Sequence, residues 1–250
     1  YGRYLRVPQR PLPEVSGYVL PYADSPLDDE RVGECVYLDI LNHAERYVRI
    51  MTPYLILDET MIMALTFAAK RGVDVELILP HVPDKKFAFA LAKGHYRELL
   101  DAGVKIYEYT PGFVHAKVFV SDDRKAVVGT INLDYRSLYL HFEDAVYLYD
   151  CPCIKDIVAD YDATRAQSQV VTHGDLARIP LHTRIAAALL KLVQVAADGI
   201  LGHAKNLAQL VNADGLARDD ILLYRIETAD FHIHSSHYII YPPSSIRMYP

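Results

Sequence analysis

The chain reads as an α/β layered sandwich, a mixed sheet flanked by helices with a helical C-terminal extension. Three observations lead there. Strand-like and helix-like runs alternate along most of the chain, the pattern of layered α/β domains. Its 250 residues are 51% hydrophobic, enough for one sizeable core and an appendage. No uninterrupted apolar run has the length of a membrane span, and no signal peptide is recognisable.

The elements follow in order from periodicity and punctuation. Tyr47–Met51 reads as a strand, Glu59–Arg71 as a helix and Val73–Leu79 as a strand. Asp84–Ala102 is a helix by its 3.6-residue period, and Val104–Tyr109 another strand. The segment from Gly112 to Asp122 reads as a strand, Ser121–Lys125 as a hairpin turn and Ala126–Val128 as its return. Glu143–Tyr149 is a strand and Ile154–Gln167 a helix. Beyond Val170 the pattern changes, and Leu181–Leu210 reads as one or two amphipathic helices with Ile185, Leu189, Leu192, Ala196 and Ile200 on one face. That face either packs on the domain or meets a membrane surface, although His182, Lys191 and Lys205 are a thin basic complement for anionic lipid.

The motif hairpin carries the chemistry. Along a strand His115 and Lys117 project to one side while Ala116, Val118 and Val120 pack on the other. Gly129, beside the histidine, allows close backbone approach to a ligand. Thr130 and Asn132 offer a hydroxyl and an amide to phosphate oxygens, and Lys117 the counter-charge. The set predicts phosphoryl-transfer chemistry with no metal and no organic cofactor.

The spacing H-x-K-x4-D-x6-G-T-x-N, from His115 to Asn132, resembles the HKD motif of the phospholipase D superfamily. Flanking segments narrow the resemblance to bacterial cardiolipin synthases. These are Tyr18 to Pro26, Thr52 to Asp58, Ala68 to Val75, Gly103 to Tyr109 and Gly129 to Ser137, within a resemblance running from about Gly17 to Ser168. It implies a phospholipase D-like fold for residues 17–170, with 1–16 a linker remnant and 171–250 an extension and tail of unassigned role. The family has an earlier HKD motif and N-terminal membrane segments, so the chain reads as a C-terminal half, its Arg3–Val15 run with three prolines being inter-domain in character.

In-line displacement at phosphorus puts the attacking atom and leaving oxygen on opposite sides. A covalent route needs one imidazole to form phosphohistidine and another to protonate the leaving alkoxide, then to activate the incoming alcohol. His115 fills one post, nucleophile or general acid. His203-Ala204-Lys205 repeats H-x-K but lacks the downstream Asp and Gly-Thr-x-Asn, so the second set is expected from the missing half or a second copy of the chain.

The resemblance assigns Lys117, Thr130 and Asn132 to substrate phosphate and Glu143 to orienting an imidazole tautomer, a surface strand-end glutamate being the equal alternative for Glu143. It places Asp122 in the catalytic set, whereas its position at the turn makes capping of backbone amides its expected work. Gly129, Asp134, Arg136 and Ser137 support the motif, with Asp134 and Arg136 bracing the Asn132 loop by capping or ion pairing. Tyr139 and His141 line a lipid pocket, with packing in the core or at the rim the equal alternative.

The implied activity is transphosphatidylation: one phosphatidylglycerol forms a phosphatidyl-enzyme and releases glycerol, and a second attacks to give cardiolipin. The alternatives are a phospholipase D or nuclease-type hydrolase, and a half that only binds anionic phospholipid. The net charge of −6 argues against a nucleic-acid partner, since polyanion binding rests on a basic face. Expected partners are phosphatidylglycerol, cardiolipin and a membrane surface, at the cytoplasmic face of a bacterial inner membrane. Cys35, Cys151 and Cys153 fit neither a disulfide framework nor a zinc site, and Cys151-Pro152-Cys153 reads as a helix entry. His232, His234 and His237 lack a second ligand cluster, and the run beyond Asn206 is assigned no function.

Overall fold

The computed structural model describes residues 16–28, 30–179 and 188–189. The expected linker up to residue 15, the 181–210 amphipathic stretch apart from residues 188–189, the second H-x-K and the tail histidines lie outside the described residues.

Among the described residues, ten strands and six helices follow in the order β1 (Tyr18–Asp24), α1 (Val32–His43), β2 (Tyr47–Met51), β3 (Leu55–Ile56), α2 (Glu59–Lys70), β4 (Asp74–Pro80), α3 (Lys86–Asp101), β5 (Lys105–Tyr109), β6 (Val118–Ser121), β7 (Lys125–Gly129), β8 (Leu133–Asp134), α4 (Tyr135–Tyr139), β9 (Glu143–Tyr149), α5 (Ile154–Ala166), β10 (Ser168–Val170) and α6 (His173–Ala177). Eight strands form one sheet in the order β1-β9-β7-β6-β2-β4-β5-β10, and β3 pairs with β8 apart from it. β2, β4 and β5 run parallel to one another; the other pairings in the large sheet are antiparallel. The expected mixed sheet is present.

Alternation along the strands feeds two cores. Val48, Ile50, Leu77, Phe119 and Val127 face one side with Tyr37 and Ile40 of α1, Met61 and Leu65 of α2, and Tyr96 and Leu99 of α3. Val118, Val120, Met51 and Ile78 face the other, where α5 supplies Ile154 and Tyr161. Helix α2 shows why such a segment is helical. Asp58 caps it by accepting from the Met61 amide at 2.9 Å, Met61, Leu65 and Ala68 make one buried stripe, and Gly72 ends it at φ 97°.

The hairpin expected at Ser121–Lys125 turns through Asp122 and Asp123 at φ 56° and 61°, the left-handed pair that suits strand twist. Cys153 is the N-cap position of α5, as the helix-entry reading required. Cys151 is buried, and all three cysteines are free thiols. Among the described residues no helix is long and apolar enough to cross a membrane.

Candidate functional site

Register brings the site together at one end of the sheet. Met51 pairs with Val118, Val118 with Val128, Gly129 with Ala145 and Asp24 with Glu143. The segments 113–117, 130–132, 140–142 and 52–58 therefore leave the sheet at that same end.

His115 and Lys117 were expected on a strand. The ladder begins only at Val118, because β2 ends at Met51 and offers no partner beyond it. The segment is still extended enough to keep its alternation: Val114 and Ala116 pack with Tyr161, leaving His115 exposed and Lys117 half-buried. The Gly129 amide donates to the Lys117 carbonyl at 3.3 Å and ties the segment to β7.

Lys117 Nζ lies 3.1 Å from both ring nitrogens of His115 and donates to its carbonyl oxygen at 2.7 Å. Burial lowers the Lys117 pKa from 10.5, against the charges of Glu143 and Asp134, which raise it. Glu143, nearly buried, accepts from the Thr130 hydroxyl, and its Oε1 lies 3.5 Å from His141 Nδ1. His141 in turn accepts at Nε2 from Arg136 Nε at 2.6 Å. The structure thus joins Glu143 to Thr130 and His141, and Lys117 to His115.

The loop after β7 is held from below. The Tyr37 hydroxyl donates to the Ile131 carbonyl at 2.8 Å, and the Leu133 amide to Thr52 Oγ1 at 3.1 Å. Asn132 Nδ2 donates to Ser137 Oγ at 2.9 Å, while its Oδ1 is buried without a hydrogen-bond partner. Asp134 accepts from the Ser137 amide at 2.8 Å, the expected cap, and burial raises its pKa.

Three expectations are corrected. Gly129 answers to β9 rather than to ligand approach, since a Cβ there would lie 2.4 Å from Ala145 Cβ and the Asp144 carbonyl. Asp122 stands at the opposite end of β6 from His115, and its carboxylate takes the amides of Glu45, Arg46 and Tyr47, each at 2.9 Å. It is a brace between hairpin and α1–β2 turn and no member of the catalytic group. Arg136 braces through a histidine rather than an ion pair. Tyr139, half-buried, has its hydroxyl 2.6 Å from Glu34 and 2.7 Å from Asp58, which agrees with the packing alternative for that residue.

Missed in the sequence were Phe113, whose ring centroid lies 5.8 Å from that of His115, and Tyr54, 6.4 Å from Phe113. An aromatic residue two positions before the histidine, on the same side of an extended chain, was the available signal.

A mixed α/β sheet presenting an H-x-K pair at one end, backed by a Gly-Thr-x-Asn loop, is the arrangement of the phospholipase D class of fold. Nuc from Salmonella typhimurium, a phospholipase D family member, superposes with TM-score 0.53 at 19% identity, covering 62% of this chain and 99% of that one. The family described as "Cardiolipin synthase, PLD-like domain" matches residues 37–164, and the chain belongs to it. Cardiolipin synthase 2 of Bacillus cereus is 40% identical over 159 residues, 63% of this chain and 31% of that protein. An uncharacterized protein of Streptococcus mutans is 63% identical over 178 residues, 71% of this chain and 39% of its own. The chain thus spans between about a third and two fifths of the length of these relatives.

Proposed function

We propose that the chain supplies one half of a phosphatidyltransferase site that joins two phosphatidylglycerol molecules into cardiolipin and glycerol. The observation that carries this reading is the His115–Lys117 pair, presented together at the sheet end in a chain of the cardiolipin synthase family.

His115 bonds to phosphorus as nucleophile, or protonates the departing glycerol oxygen as general acid. Lys117 transfers its donation from His115 to a non-bridging phosphate oxygen. Asn132 has a second Nδ2 proton beyond the one given to Ser137, and Thr130, held by Glu143, stands beside the same phosphate. A second H-x-K set completes the centre. Two sources fit: another segment of a longer protein, or a second copy of this chain. The substrate sets the place of action at a membrane surface, which we assign to the cytoplasmic face.

Mass-spectrometric product analysis with phosphatidylglycerol in mixed micelles tests the reading, beside His115→Ala. Cardiolipin plus glycerol, lost in the variant, is the expected result. Phosphatidic acid alone replaces transfer with hydrolysis. Absence of product from both samples makes the isolated chain a half-site, and addition of a separately expressed N-terminal half then restores cardiolipin. Failure of that addition leaves only phospholipid binding.

A further inference from the structure

Three oxygens meet where α4 is fastened to the rest of the domain. The Tyr139 hydroxyl lies 2.6 Å from Glu34 Oε1 on α1 and 2.7 Å from Asp58 Oδ2 at the start of α2. Both are hydrogen-bond lengths, yet a phenol has a single proton. With both carboxylates ionised, one of the two contacts would set lone pairs against each other with no proton between them. The geometry therefore calls for a second proton, carried by one of the two acids.

Glu34 is the one placed to carry it. It is 4% exposed, and burial raises its pKa from 4.5, with the Asp58 charge adding to the rise. Asp58 is half-buried, and its other oxygen accepts from the Met61 amide at 2.9 Å, at a helix start where negative charge is favoured. Against the proton on Glu34 stands Arg31, whose Nη1 is 3.6 Å from Glu34 Oε2 on a half-exposed side chain and whose guanidinium lies 4.9 Å over the Tyr139 ring. The other groups facing the cluster are Tyr135, its ring 4.5 Å from that of Tyr139, Asp24 of β1, which takes the Gly33 amide at 2.7 Å, and the exposed Glu59.

Helix α4 in turn holds one side of the phosphate site. Its Ser137 accepts from Asn132 Nδ2 at 2.9 Å, and the chain leaving it runs through 140–142 to Glu143, the partner of Thr130. We propose that Glu34 gives a proton to the Tyr139 hydroxyl, which gives its own to Asp58, and that this relay fixes α4, making Tyr139 a positioning residue for Asn132 and Thr130. The positioning role rests on the phosphatidyl-transfer reading, whereas the held proton does not. When Glu34 ionises, its proton leaves to solvent, the Tyr139 proton serves only one carboxylate, and α4 loosens. Because the folded chain keeps the Glu34 proton at pH values where the unfolded chain has lost it, stability falls as pH climbs from 4.5 to the raised folded value and levels off above it. Glu34→Gln keeps a neutral donor to Tyr139 and lacks this loss.

Carboxyl-detected NMR titration of the isotope-labelled full chain tests the proton directly. Glu34 is expected to titrate above 4.5, with the Asn132 side-chain amide signals moving at the same midpoint. In thermal melts between about pH 4 and 9, spanning ordinary and raised carboxyl values, Glu34→Gln is expected to gain a few degrees on wild type as pH rises. Affinity for glycerophosphoglycerol, the phosphodiester headgroup without acyl chains, is expected to fall roughly threefold to tenfold in wild type through that midpoint, the scale of one misplaced hydrogen bond. Glu34→Gln keeps the tighter affinity, and Tyr139→Phe binds weakly throughout. Any titration of His115 and Lys117 is common to all three proteins, so the difference between them belongs to Glu34.

A Glu34 midpoint at or below 4.5, or a Glu34→Gln variant that loses to wild type as pH rises, means an anion held by Arg31 and overturns the relay. Asn132 signals that ignore the Glu34 midpoint, or Tyr139→Phe binding as tightly as wild type, overturn the positioning role. If glycerophosphoglycerol leaves His115 and Lys117 unshifted in wild type, the phosphate reading fails and the positioning role falls with it, while the titration and the melts still decide the held proton.

Discussion

The Lys117 ammonium reaches both ring nitrogens of His115 at 3.1 Å and its carbonyl oxygen at 2.7 Å. One side chain thus holds the imidazole and offers the charge a phosphate needs. Lys117→Met is expected to lower turnover of the assembled enzyme on the order of a hundredfold or more, the scale of losing a preorganised charge donor. Lys117→Arg restores little, because a planar guanidinium does not replace a point charge here. Burial holds the Lys117 pKa below 10.5 while Glu143 raises it. Nitrogen-detected NMR titration of Lys117 should therefore show a midpoint below 10.5, and Glu143→Gln should move it lower still.

Asp122 binds three successive amides of the α1–β2 turn. Burial alone would raise its pKa, but the hydrogen bonds from Glu45, Tyr47 and Arg46 outweigh that and hold it below 3.8. The group therefore stabilises the fold fully above 3.8 and loses that contribution as pH falls through its lower folded value. Asp122→Ala should cost roughly 2–3 kcal/mol by loss of charge-assisted bonds. Denaturant melts between pH 2 and 6 (about the range where a carboxylate titrates) should show wild type converging on the variant at the acid end.

Glu76 is 1% exposed and meets Arg49, Arg165 at 3.0 Å and Lys105 at 3.6 Å. Removing the buried anion leaves Arg49 and Arg165 facing one another in partial burial, with only the more exposed Asp74, 2.6 Å from Lys105 and 3.8 Å from Arg49, and Asp162, 3.3 Å from Arg165, to offset them. Glu76→Gln should cost about 3–5 kcal/mol and lower the melting temperature on the order of 10 °C. Binding of glycerophosphoglycerol to the folded variant should be unaffected, since Glu76 lies toward the other end of the sheet.

Gly129→Ala forces a Cβ to within 2.4 Å of Ala145 Cβ and the Asp144 carbonyl. Backbone on a neighbouring strand cannot rotate away, so the β7–β9 pairing must open. A destabilisation of roughly 1–3 kcal/mol or more is expected, visible as a lowered melting temperature and faster amide exchange at Thr130, whose N–H donates to the Asp144 carbonyl at 2.9 Å.

Much of the fold was legible because long periodic runs announce themselves. The strands at 47–51, 73–79, 104–109 and 143–149 and the helices at 59–71, 84–102 and 154–167 lie within two residues of the observed elements. Helix α1 was overlooked: Arg31 offers no side-chain cap, Gly33 is its second residue, and Asp39 and Asn42 interrupt the apolar run. Strand β1 was seen only as a segment of resemblance, since Tyr18, Val19 and Leu20 are all exposed on a sheet edge and alternate poorly. β3 and β8, two residues each, are too short for periodicity to register.

For the site, the sequence by itself determined that His115 and Lys117 leave the same side of an extended segment, because a period of two is a local property of the backbone. It also led to Asp134 as a brace of the Asn132 loop by capping or ion pairing, and the structure supplies the Ser137 amide as what it caps. Only the tertiary structure decided that Glu143 meets Thr130 and influences Lys117, that Asp122 binds a turn 75–77 residues upstream, that Gly129 is demanded by β9, and that Phe113 lies between His115 and Tyr54. Each of these joins residues through strand order and register. Those are set by how whole faces bury against one another, a many-body balance that no local spacing records.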